Sequence, residues 1–251
     1  MTTKSKNYKV TGSSVLANTK LPAHSASTVL PSAWGHEHNP IEAKVVYKRG
    51  YALAAAILLN SLAEPLQYVD EPTMEERFKS KIRSLEFANF WNWRYPRKYF
   101  EEKVEKLKGF QFNKQSPLET LLTAPFRAAV NLEKGRAIFS IPNFIPNRDI
   151  SWPGSNMSCR IKTTLTGVDL DTGSFRTVCS YSPLFDKKMK TRTDYEAIND
   201  LPFSDYPLLI YCCGIDFFLA YGKNHLVRLP EAKYNPMGIV AVKFKDGKNR
   251  E

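Results

Sequence analysis

Residues 207–229, PLLIYCCGIDFFLAYGKNHLVRL, contain the most apolar strand candidate in the chain. The YGKN segment at residues 221–224 is typical of a turn, so the stretch predicts a long strand and a short strand joined as a hairpin. Since an apolar run of this length is stable only when it is buried, we expect the long strand to lie centrally in the core.

Two further hairpins and a closing strand are predicted around this stretch. Residues 126–132 and 137–141 flank the turn EKG, and residues 157–170 and 174–181 flank the turn DTG. A glycine stands in each turn, where a positive φ is needed. Near the end of the chain, residues 238–244 alternate in the manner of a strand.

The segments between these strands are predicted to be irregular. Pro142, Pro146 and Pro153 indicate an extended connection, and residues 182–206, which are mostly polar, indicate a long exposed loop. Seven strands joined by hairpin turns are typical of an antiparallel β-sandwich. One antiparallel sheet covered on one face by helices fits the same pattern, and the sequence does not separate the two.

Helices are predicted upstream of the strands. Residues 41–66 have an alanine-rich centre, which favours a helix, and the apolar run around Leu53 and Leu58 is too continuous for a surface helix. We therefore predict a buried helix that Pro65 ends. Thr73 and Glu76 have the spacing of a capping box, with Thr73 as the N-cap of an amphipathic helix. A helix from residue 97 to residue 107 follows Pro96.

These patterns give the fold class and the division of the chain. We predict an α+β protein in which a helical segment (residues 41–108) precedes a sandwich-like antiparallel β domain of about seven strands (residues 109–247). Residues 1–40 are rich in Ser, Thr, Lys and Pro and show no sustained period, so we predict a flexible arm there.

The composition indicates which partners and which cellular compartment to expect. A net charge of +11 and a pI near 9.4 favour acidic partners, nucleic acid among them. The N-terminal residues lack the apolar run of a secretion signal, and no segment has the roughly 20 apolar residues of a membrane span. We therefore expect no membrane span and, by default, a cytoplasmic protein, while export by a non-classical route stays open.

The four cysteines lie at positions 159, 179, 212 and 213, and no CxxC spacing occurs. Free thiols in a reducing compartment are therefore expected, rather than disulfides or a structural zinc site. In the hairpin around the DTG turn, simple register places Cys179 opposite Leu165, which disfavours a disulfide between Cys179 and Cys159.

A basic segment rich in aromatic residues is the strongest candidate for a binding surface. Residues 77–108 contain ten Lys or Arg against four Glu, a net charge of +6. Cations interleaved with aromatic rings suit single-stranded nucleic acid, because cations bind phosphates and flat rings stack on bases. The same pattern also describes helices whose aromatic residues pack on a sheet, which is the more common situation. The candidate nucleic-acid contacts are Arg77, Lys79, Lys81, Arg83, Trp91, Trp93, Arg94, Arg97 and Lys98, with Tyr95 and Tyr99 as further stacking candidates.

Motifs that would indicate catalysis are weak. The DTGS segment at residues 171–174 matches the catalytic loop of aspartic proteases, but that chemistry needs a second such loop or a symmetric dimer, and the chain has no second loop. A β-turn uses the same residues for conformational reasons. Cys212 or Cys213 could act as a nucleophile only with a histidine such as His225, and both lie in an apolar strand, so we expect core packing.

Two further groups of polar residues are predicted to be structural. Asp216 interrupts the apolar strand and must be paired or face solvent, and Arg228 is its candidate partner. His24, His36 and His38 lie in the predicted arm, where a solvated tail is a better interpretation than a metal site. We predict no metal and no cofactor.

The sequence therefore predicts a non-enzymatic structural or binding protein that self-assembles, with the arm reaching a neighbouring subunit. The expected partners are further copies of the chain or other protein subunits. The alternative is a basic nucleic-acid-binding protein that uses the helical segment. An enzyme with an unrecognised site is the third interpretation.

Overall fold

The computed structural model describes residues 6–10, 14–15, 40–67, 69, 71–87, 97–201, 206–221, 225–229 and 234–244. These residues form the helices α1 (Pro40–Ser61), α2 (Ala63–Leu66), α3 (Met74–Ser84), α4 (Arg97–Glu105), α5 (Leu118–Leu121) and α6 (Pro146–Asp149). They also form the strands β1 (Lys6–Val10), β2 (Ser14–Val15), β3 (Arg127–Asn131), β4 (Arg136–Phe144), β5 (Met157–Val168), β6 (Phe175–Tyr181), β7 (Phe185–Asp186), β8 (Thr193–Asp200), β9 (Leu208–Tyr221), β10 (His225–Arg228) and β11 (Met237–Phe244).

The larger sheet is built on β9 and β5. These two strands pair antiparallel over residues 157–168 and 208–219. On its other edge, β9 pairs with β11 and, further along, with β10. The other edge of β5 pairs with β6 and β7, and β2 follows β6. The long strand predicted from residues 207–229 is thus central, as expected.

The smaller sheet has the strand order β1-β8-β4-β3. β4 pairs antiparallel with both β3 and β8, and β1 runs parallel to β8. The β3–β4 hairpin turns at Gly135, whose φ of +57° suits glycine. The hairpin predicted around the EKG turn is therefore confirmed.

The two sheets pack face to face around one core. Odd-numbered residues of β9, among them Tyr211 and Phe217, point into this core with Ile161 of β5. Phe139 of β4 and Tyr195 of β8 meet them from the smaller sheet. Alternate side chains of each strand thus fill the space between the sheets, as in a β-sandwich.

The opposite face of the larger sheet is covered by helices. Leu208 and Ile210 of β9 pack there with Ile239 of β11. Leu58 of α1 and Phe78 of α3 are fully buried in the same cluster. Helices, larger sheet and smaller sheet therefore form three layers, so both architectures that the sequence left open are present in one molecule. The predicted α+β class with antiparallel sheets is confirmed.

The prediction of one long exposed loop at residues 182–206 is wrong, because the segment contains β7 and β8. β8 is an inner strand of the smaller sheet, flanked by β1 and β4. Its residues alternate between buried and more exposed positions, with Tyr195 and Ala197 buried and the acidic Asp194 and Glu196 outside. A strand with one polar face carries a weak apolar signal.

The proline connection is also corrected. Pro142 lies inside β4, at a bulge where the pairing with β8 shifts between Ile141 and Phe144. Asn143, beside it, has a φ of +58°. A bulge tolerates proline because the residue is taken out of the hydrogen-bond ladder. Pro146 begins the short helix α6 rather than continuing an extended segment.

Two details of the helices differ from prediction. α1 ends at Ser61 and Pro65 lies inside α2, so the break comes before the proline. Pro65 has no N–H for the Ser61 carbonyl, which accepts a hydrogen bond from Thr177 Oγ1 at 3.3 Å instead. Thr73 is the N-cap of α3, but its hydroxyl donates to Glu71 Oε1 at 2.5 Å and makes no cap, so the predicted capping box with Glu76 is absent.

The division into a helical segment (41–108) and a β domain (109–247) stays a prediction. The helices share one hydrophobic cluster with the larger sheet.

Candidate functional site

Two short strands near the N-terminus occupy outer positions in both sheets. β1 lies beside β8 in parallel register from the Lys6–Thr193 pair to the Val10–Ala197 pair. Three residues later β2 pairs antiparallel with β6 in the larger sheet. The segment from residue 6 to residue 15 thus links one strand of each sheet. The other residues of the predicted arm, with His24, His36 and His38, lie outside the described part of the chain.

A second sheet margin carries exposed apolar side chains. β10 pairs with β9, and within the described ranges it has no other strand neighbour. Leu226 and Val227 of β10 are 39% and 40% exposed. Apolar side chains on an unpaired strand edge are a place where another chain can add.

Arg77, the first candidate nucleic-acid contact, is committed to internal contacts. Its guanidinium donates to the carbonyl oxygens of Gln111 and Phe112 at 2.9 and 2.8 Å, and it pairs with Glu71. Residues 109–112 run along the outer edge of β11, where Gly109 N donates to Ile239 O. Arg77 therefore fastens α3 to the larger sheet.

The other described candidates lie along α3. Lys79 pairs with Glu75 at 2.6 Å and lines a groove of about 420 Å³ between α1 and α3. Arg83 donates to the hydroxyl of Tyr51, and the Arg83 guanidinium carbon lies 4.5 Å from the Tyr51 ring centroid. Lys81 is half-buried and forms no ion pair with the residues that the structure describes. Lys79 and Tyr51, the partner of Arg83, thus line the same groove, and both cations already have partners within the chain.

The remaining candidate nucleic-acid contacts lie outside the described residues or are described only by their backbone. Trp91, Trp93, Arg94 and Tyr95 lie outside the described residues. Arg97, Lys98 and Tyr99 belong to the first turn of α4, of which only the backbone is described. Their predicted stacking and phosphate contacts stay predictions.

A charged cluster lies on the outer face of the larger sheet, beside the helices. Asp216 of β9 is paired with Arg228 of β10, as the sequence predicted. On its other side, Arg160 of β5 places Nε 3.6 Å from Asp216 Oδ2. The Asp216 side chain is only 5% exposed, so two cations offset the loss of its hydration.

Next to this cluster, Lys162 is buried under the end of the helical layer. Its Nζ donates to the backbone oxygen of Glu64 at 2.9 Å and lies 3.7 Å from the Glu64 carboxylate. The Cys179 thiol donates to the same carboxylate at 3.7 Å. A lysine that is 1% exposed is stable as a cation only with such partners. Sequence reasoning missed both Arg160 and Lys162, although the two cations stand two residues apart on one face of a strand whose other face carries Cys159 and Ile161.

The thiols are set up for packing and not for nucleophilic attack. All four cysteines are free and buried. Burial raises the pKa of Cys212 and Cys179 to about 12. Burial also raises the pKa of Cys159 and Cys213. Thiolates, the reactive form, are therefore scarce at neutral pH. Cys179 lies opposite Thr164, one residue from the predicted Leu165, and Cys159 is five residues away along β5.

The DTG turn has a structural explanation. The carboxylate of Asp169 accepts hydrogen bonds from the backbone N–H groups of Asp171 and Thr172, at 2.9 and 3.4 Å. Gly173 follows with a φ of +70°. Asp169 thus shapes the turn through its side chain, in the way that aspartate does in turns generally.

Two further features of the described residues concern metal ligands and membrane spans. No group of three or more His, Cys, Asp or Glu there could hold a metal ion. No helix in that part of the chain has the length and apolar character needed to cross a membrane.

The chain was also compared with known proteins. No protein-family model matches the sequence, and neither a curated protein nor a solved structure matches it.

Proposed function

We propose that this chain is a non-enzymatic structural protein that self-assembles by exchanging its N-terminal strands. The observation that carries the proposal is the position of β1, an added strand on the edge of β8 that comes from a distant part of the chain. In an exchanged assembly, β1 of one subunit occupies this edge on the next subunit, and the backbone hydrogen bonds are the same.

The connection from β2 to α1 is long enough for exchange. It comprises residues 16–39. A chain of that length spans at most about 80 Å when extended, whereas a compact domain of this size has a radius of gyration of about 18 Å. The arm can therefore reach either its own β8 or that of a neighbour.

The unpaired edge also favours strand addition. Without β1, residues 193–197 of β8 would present unpaired N–H and C=O groups at the edge of the smaller sheet. One face of β8 is already buried against the larger sheet, through Tyr195 and Ala197. An added strand therefore finds a fixed register on a rigid support, which favours specific association.

A structural role agrees with the chemistry of the candidate catalytic groups. The four thiols are buried with raised pKa values, and Asp169 stabilises the DTG turn. Each of these groups thus has a structural explanation. Activity assays on the purified protein remain the direct test of this part of the proposal.

A disulfide trap tests strand exchange. Lys9 lies opposite Glu196 in the β1–β8 register, and neighbouring strands bring Cα atoms within the distance that a disulfide bridges. We expect the double variant Lys9→Cys/Glu196→Cys, once oxidised, to run as covalent dimers and larger species on a non-reducing gel. A crosslinked monomer would refute exchange, because it would place β1 on its own subunit.

Matched controls exclude accidental crosslinks. The single variants Lys9→Cys and Glu196→Cys should remain monomeric on the same gel, since the native cysteines are buried. Light scattering of the unmodified protein gives an independent result. A mass near 28.6 kDa at every concentration would contradict self-assembly.

A further inference from the structure

Among the described residues, the helical layer ends before the larger sheet does. Beyond Lys162, the same face of the sheet carries Arg160 on β5, Tyr181 on β6, and Asp216 and Phe218 on β9. Arg160 is in register with Asp216, whereas Tyr181 and Phe218 are its diagonal neighbours. Diagonal neighbours on one face lie within reach of long side chains.

Arg160 is held there by ring stacking. Its guanidinium carbon lies 4.5 Å from the centroid of the Tyr181 ring and 5.1 Å from that of Phe218. Cation–π contacts of this kind fix the plane of a guanidinium without using its N–H donors. Little side-chain entropy then remains to be lost when a ligand binds.

The donors of Arg160 are unused by the described part of the protein. Its Nε is 3.6 Å from Asp216 Oδ2, beyond hydrogen-bond distance, and finds no other acceptor among the described residues. The side chain is nevertheless 38% exposed, so its terminal nitrogens are accessible to a ligand. An immobilised, accessible arginine fork is the geometry that binds an oxyanion.

Among the described residues, two carboxylates near Arg160 are each paired with another cation. Arg228 pairs with Asp216, and Lys162 pairs with Glu64. The carboxylate of Asp186, diagonal to Arg160 on the same face, is exposed and accepts a hydrogen bond from the Lys188 N–H at 2.8 Å. A singly charged anion would give the Arg160 guanidinium a hydrogen-bonded partner of its own.

We propose that Arg160, stacked between Tyr181 and Phe218, binds an oxyanion that carries one negative charge, either a carboxylate or a phosphodiester. The ligand oxygens accept hydrogen bonds from the terminal nitrogens of Arg160, beside the paired Asp216. This site is separate from strand exchange, and its test does not depend on the oligomeric state.

The test is ligand-dependent thermal stability at constant ionic strength, with sodium acetate or sodium dimethyl phosphate replacing sodium chloride. The two probes are monoanions and distinguish the carboxylate source from the phosphodiester source. We expect at least one of them to raise the Tm by about 3 °C once its concentration exceeds Kd about tenfold. Arg160→Gln should abolish this rise, and Arg160→Lys should weaken binding about tenfold or more because it loses the stacked fork.

Arg192→Gln provides the matched control, since it removes one exposed positive charge elsewhere. It should keep the full Tm rise. The proposal is overturned if neither probe raises the Tm of the wild-type protein. It is equally overturned if the rise persists in a folded Arg160→Gln or Arg160→Lys variant at its wild-type size.

Discussion

Asn199 is a fully buried amide that joins the two sheets, and its replacement by leucine should strongly destabilise the protein. Its Oδ1 accepts hydrogen bonds from Thr163 Oγ1 at 2.8 Å and from the Tyr211 hydroxyl at 3.0 Å. Its Nδ2 donates to the carbonyl oxygens of Thr163 and Val178, both at 3.3 Å. The amide thus connects β8 to β5, β6 and β9.

The expected magnitude follows from the donors that lose their acceptor. Leucine fills a similar volume but cannot accept a hydrogen bond, so two buried hydroxyl groups are left unsatisfied. Each such group costs about 1–3 kcal/mol. We therefore expect Asn199→Leu to lower the free energy of unfolding by about 4 kcal/mol, a large part of the stability of an ordinary domain.

Urea unfolding at fixed protein concentration measures this loss. The midpoint should fall by about 1 M or more. Combining Asn199→Leu with Tyr211→Phe tests the cause, because the phenylalanine removes one of the two orphaned donors. The cost of Asn199→Leu should then be smaller by about 1–2 kcal/mol in the Tyr211→Phe background.

An exposed asparagine gives the control. Asn156→Leu makes the same chemical change at the surface and should shift the midpoint little. If Asn199→Leu were as stable as Asn156→Leu, the amide would not be the polar connection between the sheets. Additive costs in the double variant would likewise contradict the shared network.

Three further predictions concern the thiols, the acid response and the nucleic-acid alternative. The four buried cysteines should react with a thiol reagent at pH 8 only slowly in the folded protein and completely in urea; rapid reaction of the native protein would contradict their burial. Burial raises the pKa of Asp149, but hydrogen bonds from Arg148 and the Ile145 N–H outweigh it and hold the pKa below 3.8. The ionised Asp149 therefore stabilises the fold above pH 3.8, and this contribution is lost as the pH falls through the lower pKa of the folded state. The difference in unfolding free energy between the wild-type protein and Asp149→Asn should shrink below pH 3.8. A difference that stays constant with pH would be inconsistent with the pairing. If α3 binds single-stranded nucleic acid, the affinity for an oligothymidine falls steeply with salt and Lys81→Gln reduces that salt slope by about one; a salt-independent affinity would exclude the alternative.

The hairpins could be predicted from the sequence because each has two local signals. A glycine turn fixes where the chain reverses, and apolar runs on both sides fix the strands. Gly135 and Gly173 have the positive φ values that these turns require. The pairing between hairpins has no local signal, so the number of layers could not be derived.

β8 could not be recognised because its buried face is itself partly polar. Its inward positions include Thr193 and Asn199, which are buried but not apolar. Three of its four outward positions, Asp194, Glu196 and Asp200, are acidic, so the segment resembles a loop in composition. Asn199 is tolerated in the core because the larger sheet supplies its hydrogen-bond partners, and that information lies in distant strands.

The start of α3 shows how one upstream residue changes a cap. The spacing of Thr73 and Glu76 is that of a capping box. In the structure, however, the Glu71 carboxylate accepts hydrogen bonds from both the Thr73 hydroxyl and the Arg77 guanidinium. The Thr73 hydroxyl therefore points to the Glu71 carboxylate and accepts no hydrogen bond from the N–H groups at the start of α3. A local motif therefore predicted the helix correctly and its capping contact wrongly.

The candidate sites also differ in whether local sequence information was enough to predict them. Asp216 and Arg228 could be paired from the sequence because a short hairpin brings their strands together, with Arg228 opposite Phe218 and diagonal to Asp216. Arg160 could not be assigned to them, because β5 and β9 pair directly but are not consecutive strands in the chain. The strand position of a charge is local information, whereas its partner across a non-sequential strand pair is not.

The alternation of residue types along β5 and β9 nevertheless records where the helical layer ends. On the face between the sheets, apolar residues continue along the strands, as from Leu209 to Phe217. On the outer face, Leu208, Ile210 and Cys212 pack under the helices, and Asp216 follows. On β5 the outer face changes from Val168 to Lys162 and Arg160 in the same region of the sheet. A change from apolar to charged residues on one face of a sheet, while the other face stays apolar, therefore marks the boundary of a covering layer. At such a boundary the sheet can hold a charged side chain in place while its charged end stays accessible to a ligand.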